Sequence, residues 1–443
     1  MLIEFQVANF GSFKAPASLN MRSSREQRFR DRVPRLERAY RMSVNPIAAI
    51  YGANASGKSN LLQALRMLGS IVLGARSVDR QRDYVFMLDS HMRKEPTLFK
   101  LVFTANDKMY SYFLAIHEGQ VIEECLSALT ATQEILLFDR DEKGVHFGEA
   151  WDDDPLINEL AATVQKNKTL AGRLADVLKG NERYRELLCV YKFLRKVIHI
   201  TPLEERILIP EFYQDFDLNA ALRALDTGVT HLESTPLKEE QWPFSREEMS
   251  EHLPEEDSTE ADISILQIKD GRLYHISRDS EGTINLNHIR FRHQGQTGSE
   301  YLLDWHQESQ GTRKILALLP WIWFASNMSD PPILLVDELD QSLHTQLTKA
   351  LIEGFLSFCD QATRAQLIFT AHDLLLMDLD YLRRDEIWIT DKNKYGESTL
   401  VGLPEYKGIR SDKDIIKSYL QGRFGGVPQL GRFTLKKAAN DDD

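Results

Sequence analysis

One short segment of the chain carries glycines, a lysine and a serine at a spacing that suits phosphate binding. It runs from Gly52 to Ser59 as Gly-x4-Gly-Lys-Ser, in which successive backbone N–H groups can curl around a β-phosphate. Lys58 would reach the β- and γ-phosphates, Ser59 would ligate Mg²⁺, and a following helix would point its N-terminus at the anion. The segment predicts a Walker A loop for ATP and Mg²⁺, with the candidate ligands Gly52, Asn54, Ser56, Gly57, Lys58, Ser59 and Asn60.

Two acids follow an apolar run further along the chain. Ile333 to Val336 are succeeded directly by Asp337 and Glu338. Asp337 would hold Mg²⁺, directly or through water, and Glu338 would accept a hydrogen bond from the water that attacks the γ-phosphate. An apolar strand that merely ends in a charged turn is a common alternative. With a Walker A loop in the same chain, the pattern favours a Walker B strand.

A sheet and helices must bring these residues together, and the periodicity of apolar residues predicts both. An apolar run enters the glycine loop and leucines at helical spacing leave it, so the loop joins a strand to a helix. Alternating apolar and polar residues elsewhere predict antiparallel strands. The expected elements are a hairpin over 1–20, strands over 47–51, 98–103, 111–116, 263–268, 272–277 and 333–336, a helix over 60–71, paired helices over 155–200, and a helix over 310–327.

Composition and charge restrict where the protein can work. The 443 residues carry a net charge of −12 and three cysteines, and no stretch of about 18 residues is continuously apolar. These features predict a cytoplasmic protein with reduced thiols and no membrane span. Against the net charge, the stretch from Met21 to Arg41 holds eight arginines and three acids. Those arginines could contact nucleic-acid phosphates, or neighbouring acids and solvent could satisfy them.

Further residues resemble the motifs of ATP-binding-cassette ATPases, in the degenerate form of SMC-like and RecF-like relatives. Ser309 and Gly311 resemble the signature motif, Asp340 resembles the D-loop aspartate, and His372 resembles the switch histidine. The resemblance implies nucleotide contacts for the first three, and a catalytic role for His372 beside Glu338 and Lys58. Each residue also has a simpler interpretation: Ser309 and Gly311 could cap the following helix, and a histidine after a strand could be an ordinary surface residue.

The resemblance also implies a fold and an assembly. The expected fold class is α/β, an ABC/SMC-like P-loop ATPase head with an antiparallel β lobe and an inserted helical region. In such ATPases the signature serine of one subunit completes the nucleotide site of another, so ATP-sandwich dimers within a homo-oligomer are expected. One departure concerns the family's Q-loop glutamine. Gln81 is the only glutamine between the Walker A helix and Gln120, and no clear pattern surrounds it, so that role is left unassigned.

The chain divides into four expected segments. We expect the first half of the ATPase head, with the Walker A loop and β lobe, over 1–150, a helical insertion over 151–232, an acidic loop or disordered insert over 233–262, and the second half of the head over 263–443. The acidic segment holds eleven Asp and Glu residues against Lys238 and Arg246. It could mimic the charge of DNA, dock a basic partner, or be a solvated loop.

A narrower resemblance, to the bacterial AAA15-type ATPases, covers nearly the whole chain. It is carried by Met1 to Phe13, by the loop form Gly-x-Asn-x-Ser-Gly-Lys-Ser-Asn, by Leu225 to Val229, and by Ser418 to Pro428. Members of that family and its neighbours serve in phage-defence systems such as PARIS and Septu, with a separately encoded nuclease. The resemblance implies a nucleotide-dependent sensor or scaffold that holds an effector nuclease and releases it on infection, with DNA or a phage-encoded molecule as the trigger.

Three other functions stay open. A DNA-repair or DNA-clamping ATPase of the SMC or RecF kind could use the arginine stretch to contact a duplex. The motor of a membrane transporter would need a separate permease and a clear Q-loop. A switch that binds ATP without hydrolysing it is the third, and the intact Glu338 argues against it.

Overall fold

The computed structural model describes residues 1–36, 40–78, 83–200, 206–210, 217–250, 263–278, 283–406 and 415–428. The strands in chain order are β1 (Leu2–Ala8), β2 (Ala17–Asn20), β3 (Ile47–Gly52), β4 (Thr97–Ala105), β5 (Lys108–His117), β6 (Gln120–Leu129), β7 (Glu134–Asp141), β8 (Gly144–Phe147), β9 (Val197–Ile200), β10 (Arg206–Pro210), β11 (Val229–Pro236), β12 (Ile263–Lys269), β13 (Arg272–Arg278), β14 (Ile284–Gln294), β15 (Glu300–Leu303), β16 (Ile333–Val336), β17 (Gln366–Thr370), β18 (Ile387–Lys392) and β19 (Ser398–Gly402). The helices are α1 (Lys58–Val72), α2 (Pro155–Ala162), α3 (Leu170–Leu178), α4 (Cys189–Arg195), α5 (Leu218–Ala224), α6 (Arg246–Ser250), α7 (Gln310–Asn327), α8 (Thr345–Ser357) and α9 (Ile415–Leu420).

The central sheet carries the strand before the Walker A loop and the Walker B strand. Its order is β19-β18-β3-β17-β16-β9. The five strands from β18 to β9 are parallel, and β19 pairs antiparallel at one edge. Every residue of β3, β16 and β17 is buried, as expected for parallel strands covered on both faces.

Helices cover the two faces of this sheet. Successive strand residues point to opposite faces. Ala48 and Ile50 of β3 pack in the same core as the leucines of α1, whereas Ala49 and Tyr51 pack with the apolar residues of α7 and α8. The expected helix over 310–327 is confirmed, and α1 covers the expected 60–71.

An antiparallel lobe packs against the α1 side. Its strand order is β2-β1-β4-β5-β6-β7-β8, and its inward residues share one core with α1, α2, α3 and α4. The hairpin over 1–20 and the strands around the turn at Asn106 and Asp107 are confirmed. Both turn residues adopt positive φ angles, 49° and 58°, a region that Asn and Asp tolerate better than most residues.

A second antiparallel sheet contains the start of the acidic segment. Its order is β10-β12-β13-β14-β11, with β15 paired to β14. The acidic segment expected as a loop over 233–262 begins in regular structure, because β11 extends to Pro236 and α6 spans Arg246–Ser250. Residues 251–262 lie outside the described part. Ion pairs of Glu233 with Arg290 and Arg292 of β14 hold β11 in the sheet, which the irregular sequence pattern did not indicate.

The helical region is shorter than the expected 151–232. It consists of α2, α3 and α4, and the last of these helices ends at Arg195. The next element, β9, pairs in parallel with the Walker B strand β16. The four residues Val197 to Ile200 are too short for a helix and complete the sheet edge instead. The fold class is the expected α/β: a parallel sheet with helices on both faces, an antiparallel β lobe and an inserted helical region. No helix within the described residues is long and apolar enough to cross a membrane.

Candidate nucleotide site

The register of the central sheet brings the candidate residues to one edge. Thr370 at the end of β17 pairs with Ile50 of β3, and Thr390 of β18 pairs with Gly52. Val336 at the end of β16 pairs with Phe369. Because the carboxyl ends of parallel strands lie together, this edge is where an open α/β sheet binds its ligands.

The Walker A loop needs glycine at its first and sixth positions. A Cβ on Gly52 would lie 2.3 Å from the Thr390 hydroxyl, and one on Gly57 would lie 2.7 Å from the Ser12 hydroxyl. Gly57 has a φ of 110° and forms the N-cap of α1, a conformation that glycine adopts without strain. Ser56 and Thr390 share a hydroxyl–hydroxyl hydrogen bond of 2.5 Å. The loop is therefore fastened to β18 as well as to β3.

Lys58 is folded back into the loop. It is 5% exposed, and its Nζ donates to the carbonyls of Gly52 at 2.9 Å and Ala53 at 3.2 Å. Burial lowers the pKa of Lys58, and the nearby Glu338, Asp337 and Asp340 oppose that shift. Carbonyl oxygens are weaker acceptors for an ammonium than charged oxygens are. Lys58 can therefore exchange these bonds for phosphate oxygens within its reach.

The remaining loop residues have different surroundings. Asn54 is exposed at the tip of the loop, and Ser59 is half-buried at the start of α1. Asn60 faces away from the tip, because its amide donates to the Ser12 hydroxyl at 2.8 Å. The Ser12 carbonyl in turn accepts the Ser398 N–H at 2.8 Å. Asn60 thus ties the loop to the N-terminal hairpin and to β19.

A threonine orients both acids of the Walker B strand. The Thr370 hydroxyl donates to Asp337 Oδ1 at 2.6 Å and accepts the Glu338 N–H at 2.7 Å. Glu338 has a φ of 49°, a left-handed conformation that costs a non-glycine residue free energy. Its Oε1 lies 3.5 Å from His372 Nε2, and His372 Nδ1 lies 3.4 Å from Lys58 Nζ. Lys58, His372 and Glu338 thus form one connected group.

Asp340 fixes the segment that carries the histidine. Its Oδ2 accepts the backbone N–H of His372 at 2.8 Å and of Asp373 at 2.6 Å. The Asp373 carboxylate accepts the Thr345 hydroxyl at the start of α8. The predicted D-loop and switch residues are therefore joined directly to each other, and the geometry of one depends on the other.

The signature residues Ser309 and Gly311 lie at the start of α7. Ser309 is the N-cap, and its hydroxyl accepts the Thr312 N–H at 3.0 Å. A Cβ on Gly311 would lie 2.8 Å from the Ser342 carbonyl, so the helix start packs closely on the turn after Walker B. Ser309 is exposed, and no hydrogen bond among the described residues joins it to the Walker A loop. Ser309 therefore caps α7, and its exposure also leaves it accessible to a second chain.

Ser59 and Asp337 offer the oxygen ligands that Mg²⁺ prefers. Mg²⁺ is usually bound by one or two carboxylates together with substrate phosphates and water. Among the described residues no cluster of three or more His, Cys, Asp or Glu side chains could hold a metal by itself. A hydroxyl and one carboxylate oxygen fit a cation that arrives with nucleotide phosphates. When bound, Mg²⁺ would neutralise phosphate charge.

Several residues of the site were not predicted from the sequence. Thr370 stands two residues before His372, and that proximity was the available signal. Thr390 carries no local signal, because β18 reaches the loop only through the sheet. Lys314 on α7 and the Glu308–His293 pair, 2.6 Å apart, also surround the candidate residues. Gln81, whose role was left unassigned, lies outside the described residues.

Comparisons with known proteins find a family match and similar solved structures. A family model described as "AAA domain, putative AbiEii toxin, Type IV TA system" matches residues 47–153 and 214–378. No curated protein matches the sequence. Among solved structures, the SMC head domain from Thermotoga maritima is similar at 14% identity, covering 90% of this chain and 98% of that chain with a TM-score of 0.38. A second, an SmcHead bound to the C-winged helix domain of ScpA, is similar at 14% identity and a TM-score of 0.38, covering 90% and 97%.

Thr370→Val is expected to lower ATP hydrolysis about 10- to 100-fold, because it removes the hydroxyl that orients Asp337 and Glu338. The change keeps the shape of the side chain, so the fold should survive. Steady-state phosphate release measures the loss. Thr399→Val, at an exposed position of β19, is the matched control and should match the unchanged protein. A Thr370→Val protein with full activity would contradict the orienting role.

Proposed function

The chain belongs to the family of AAA domains whose model carries the description of a putative AbiEii toxin, and from that premise we propose that it binds ATP with Mg²⁺ and hydrolyses it. The observation that carries the proposal is the connected group at the sheet edge. Lys58 Nζ lies 3.4 Å from His372 Nδ1, and His372 Nε2 lies 3.5 Å from Glu338 Oε1. A phosphate-binding lysine and a carboxylate thus stand on either side of one histidine.

Each residue of that group has a role in phosphoryl transfer to water. The backbone N–H groups of the Walker A loop and Lys58 hold the β- and γ-phosphates, while Ser59 and Asp337 bind the cation. Glu338 accepts a hydrogen bond from the attacking water and orients it. His372 contacts both Lys58 and Glu338, so it is placed to sense the γ-phosphate between them.

We further propose that two copies share each site. One chain carries candidates for both halves of such a shared site, the Walker residues and the signature residues. Ser309 of the signature residues is exposed at the start of α7. The N-terminus of a helix of this length attracts an anion. The signature residues Ser309 and Gly311 of one copy would therefore contact the γ-phosphate held by Lys58 of the other. ATP bound between the two surfaces would hold the copies together, and hydrolysis would release them.

Glu338→Gln is expected to form a stable dimer with ATP and Mg²⁺, since it can bind nucleotide but orients the attacking water poorly. Light scattering at micromolar protein, with and without ATP, measures the mass. The double variant Glu338→Gln with Ser309→Arg serves as the control, because the bulky cation blocks the shared contact, and it should stay monomeric. A Glu338→Gln protein that stays monomeric in saturating ATP would contradict the shared site.

A mixture of two inactive variants tests the shared site more directly. Lys58→Ala removes one half-site and Ser309→Arg removes the other. A mixed dimer then has one complete site and one that lacks both halves. Equal mixing should restore about one quarter of the unchanged activity, because half of the dimers are mixed and each has one working site. If the mixture stays as inactive as its components, each site is built within one chain.

We propose that the ATPase acts as a sensor or scaffold in antiviral defence and holds a separately encoded effector nuclease. The support is the resemblance to AAA15-type ATPases, together with a family description that names a toxin–antitoxin system. The second antiparallel sheet suits the partner, because its strand β14 leads through β15 into the signature helix α7. Binding of a partner to that sheet could therefore depend on the nucleotide state.

A DNA-clamping ATPase is the second candidate, and exposed arginines favour it. Arg22, Arg25 and Arg30 of the arginine stretch are exposed, and such residues can contact duplex phosphates. Arg32 is instead committed to an ion pair with the buried Glu386 at 2.7 Å, so part of the stretch has a structural role.

Filter binding of duplex DNA, with and without ATP, separates the two candidates. If the protein is a partner scaffold, the chain alone should show no tight duplex binding at physiological salt. If it is a clamp, ATP should produce salt-sensitive binding that weakens when Arg22, Arg25 and Arg30 are changed together to Glu, because fewer counterions are then released. Tight binding that those changes abolish would therefore overturn the scaffold proposal.

A further inference from the structure

Lys314 is a buried lysine on the signature helix to which the proposed reaction assigns no role. It lies on α7, five residues after Ser309, and is 3% exposed. An ammonium group is costly to bury unless hydrogen bonds and opposite charges compensate it. The groups that its Nζ contacts therefore indicate which part of the structure the lysine stabilises.

The Lys314 ammonium binds both ends of one turn. Its Nζ donates to the main-chain carbonyl of Glu338 and, at 3.1 Å, to that of Gln341. The Gln341 N–H also donates to the Glu338 carbonyl at 2.9 Å, which closes the turn between them. Asp340 lies inside this turn and fixes the backbone of His372. One buried cation thus ties α7 to the turn that carries the water-orienting acid and the D-loop aspartate.

The backbone that Lys314 holds is strained. Glu338 and Ser342, at either side of the turn, have φ angles of 49° and 63°. Non-glycine residues keep such angles when the surrounding structure imposes them. Two hydrogen bonds hold the Glu338 backbone in this conformation, because Thr370 binds its N–H and Lys314 binds its carbonyl. Without the lysine, one of these two restraints is missing.

Charge also favours an ammonium at this place. Asp340, Glu338 and Asp337 all stabilise the charged form of Lys314, although burial lowers the pKa of the group to about 8. The lysine therefore remains largely protonated at neutral pH. It adds positive charge beside three carboxylates that would otherwise repel one another and an incoming nucleotide.

We propose that Lys314 is a positioning residue for hydrolysis, which ties the signature helix to the turn after the Walker B strand and so holds the Glu338 carboxylate toward the attacking water. The inference rests on the proposed function, in which Glu338 orients that water. Because Ser309 caps the start of α7, the same bonds connect the surface offered to a second copy with the hydrolytic residue of the chain's own site.

Lys314→Met tests the proposal, because methionine fills most of the space without the ammonium. The rate constant kcat for ATP hydrolysis should fall at least about 10-fold, while the affinity for a fluorescent ATP analogue stays within about twofold, since no nucleotide contact is removed. Lys349→Met, on the neighbouring helix α8 and paired with Asp378 at 3.3 Å, is the matched control and should keep its kcat. A kcat of Lys314→Met within twofold of the unchanged value would overturn the proposal.

A double variant distinguishes positioning of Glu338 from a general structural role. If Lys314 acts through Glu338, then adding Lys314→Met to Glu338→Gln should lower the residual rate little further. An additional loss as large as that of Lys314→Met alone would overturn the proposal, because the lysine would then act independently of the acid. Lys314→Leu, which is also apolar and donates no hydrogen bond, replaces Lys314→Met if the latter does not fold, with the same two expectations.

Amide hydrogen exchange tests the tether independently of hydrolysis. In the nucleotide-free protein, Lys314→Met should speed exchange of the amides from Glu338 to Leu343, while those of β3 and α1 stay protected. If the unchanged protein proves unable to hydrolyse ATP, the proposed function fails, and faster exchange in this turn still supports the tether. Unchanged exchange there would overturn the tether, whatever the hydrolysis rate.

Discussion

The parallel register of β18, β3, β17 and β16 is the constraint on which the site depends. It places Gly52 opposite Thr390 and Ile50 opposite Thr370, so the predicted phosphate-binding loop and the strand that ends in acids lie at the same edge. A register shift of one residue would turn every side chain of the shifted strand to the other face. The buried apolar residues on both faces of the sheet make such a shift costly, and they thereby fix the chemistry at the edge.

Threonine hydroxyl groups on β17 and β18 form the hydrogen bonds that position the loop and the acids at this edge. Thr390 lies on one side of the Walker A loop and bonds Ser56, while Thr370 lies on the other and bonds Asp337 and the Glu338 amide. A threonine on a strand has a restricted χ1 angle, so its hydroxyl is held with little loss of entropy. The central sheet therefore positions the loop and the two acids through two short side chains, Thr390 and Thr370, rather than through long flexible ones.

The sequence predicted what is encoded locally and missed what the sheet brings from far away. The Walker residues and the helix over 310–327 follow from spacing and periodicity within short windows, and His372 follows from the resemblance to ATP-binding-cassette ATPases. Thr390 contacts a loop more than 300 residues earlier, and no window contains both. The helical insertion was predicted too long because Val197 to Ile200 join the sheet through partners distant in sequence. The β strand ending at Pro236 was likewise hidden, since its stabilising arginines lie on β14.

The signature helix α7 is held at two points near its N-terminal end. Before the helix, the buried Glu308 pairs with His293 at the end of β14 at 2.6 Å; five residues into it, Lys314 binds the turn that carries Glu338. Both contacts lie at the N-terminal end of the helix, so a shift at one displaces the other, because backbone hydrogen bonds hold that end rigid. A molecule that binds the second antiparallel sheet and moves β14 would therefore alter the position of Glu338, as would a second copy that contacts Ser309. In the proposed sensor, partner binding and nucleotide hydrolysis would thus be connected through this one element.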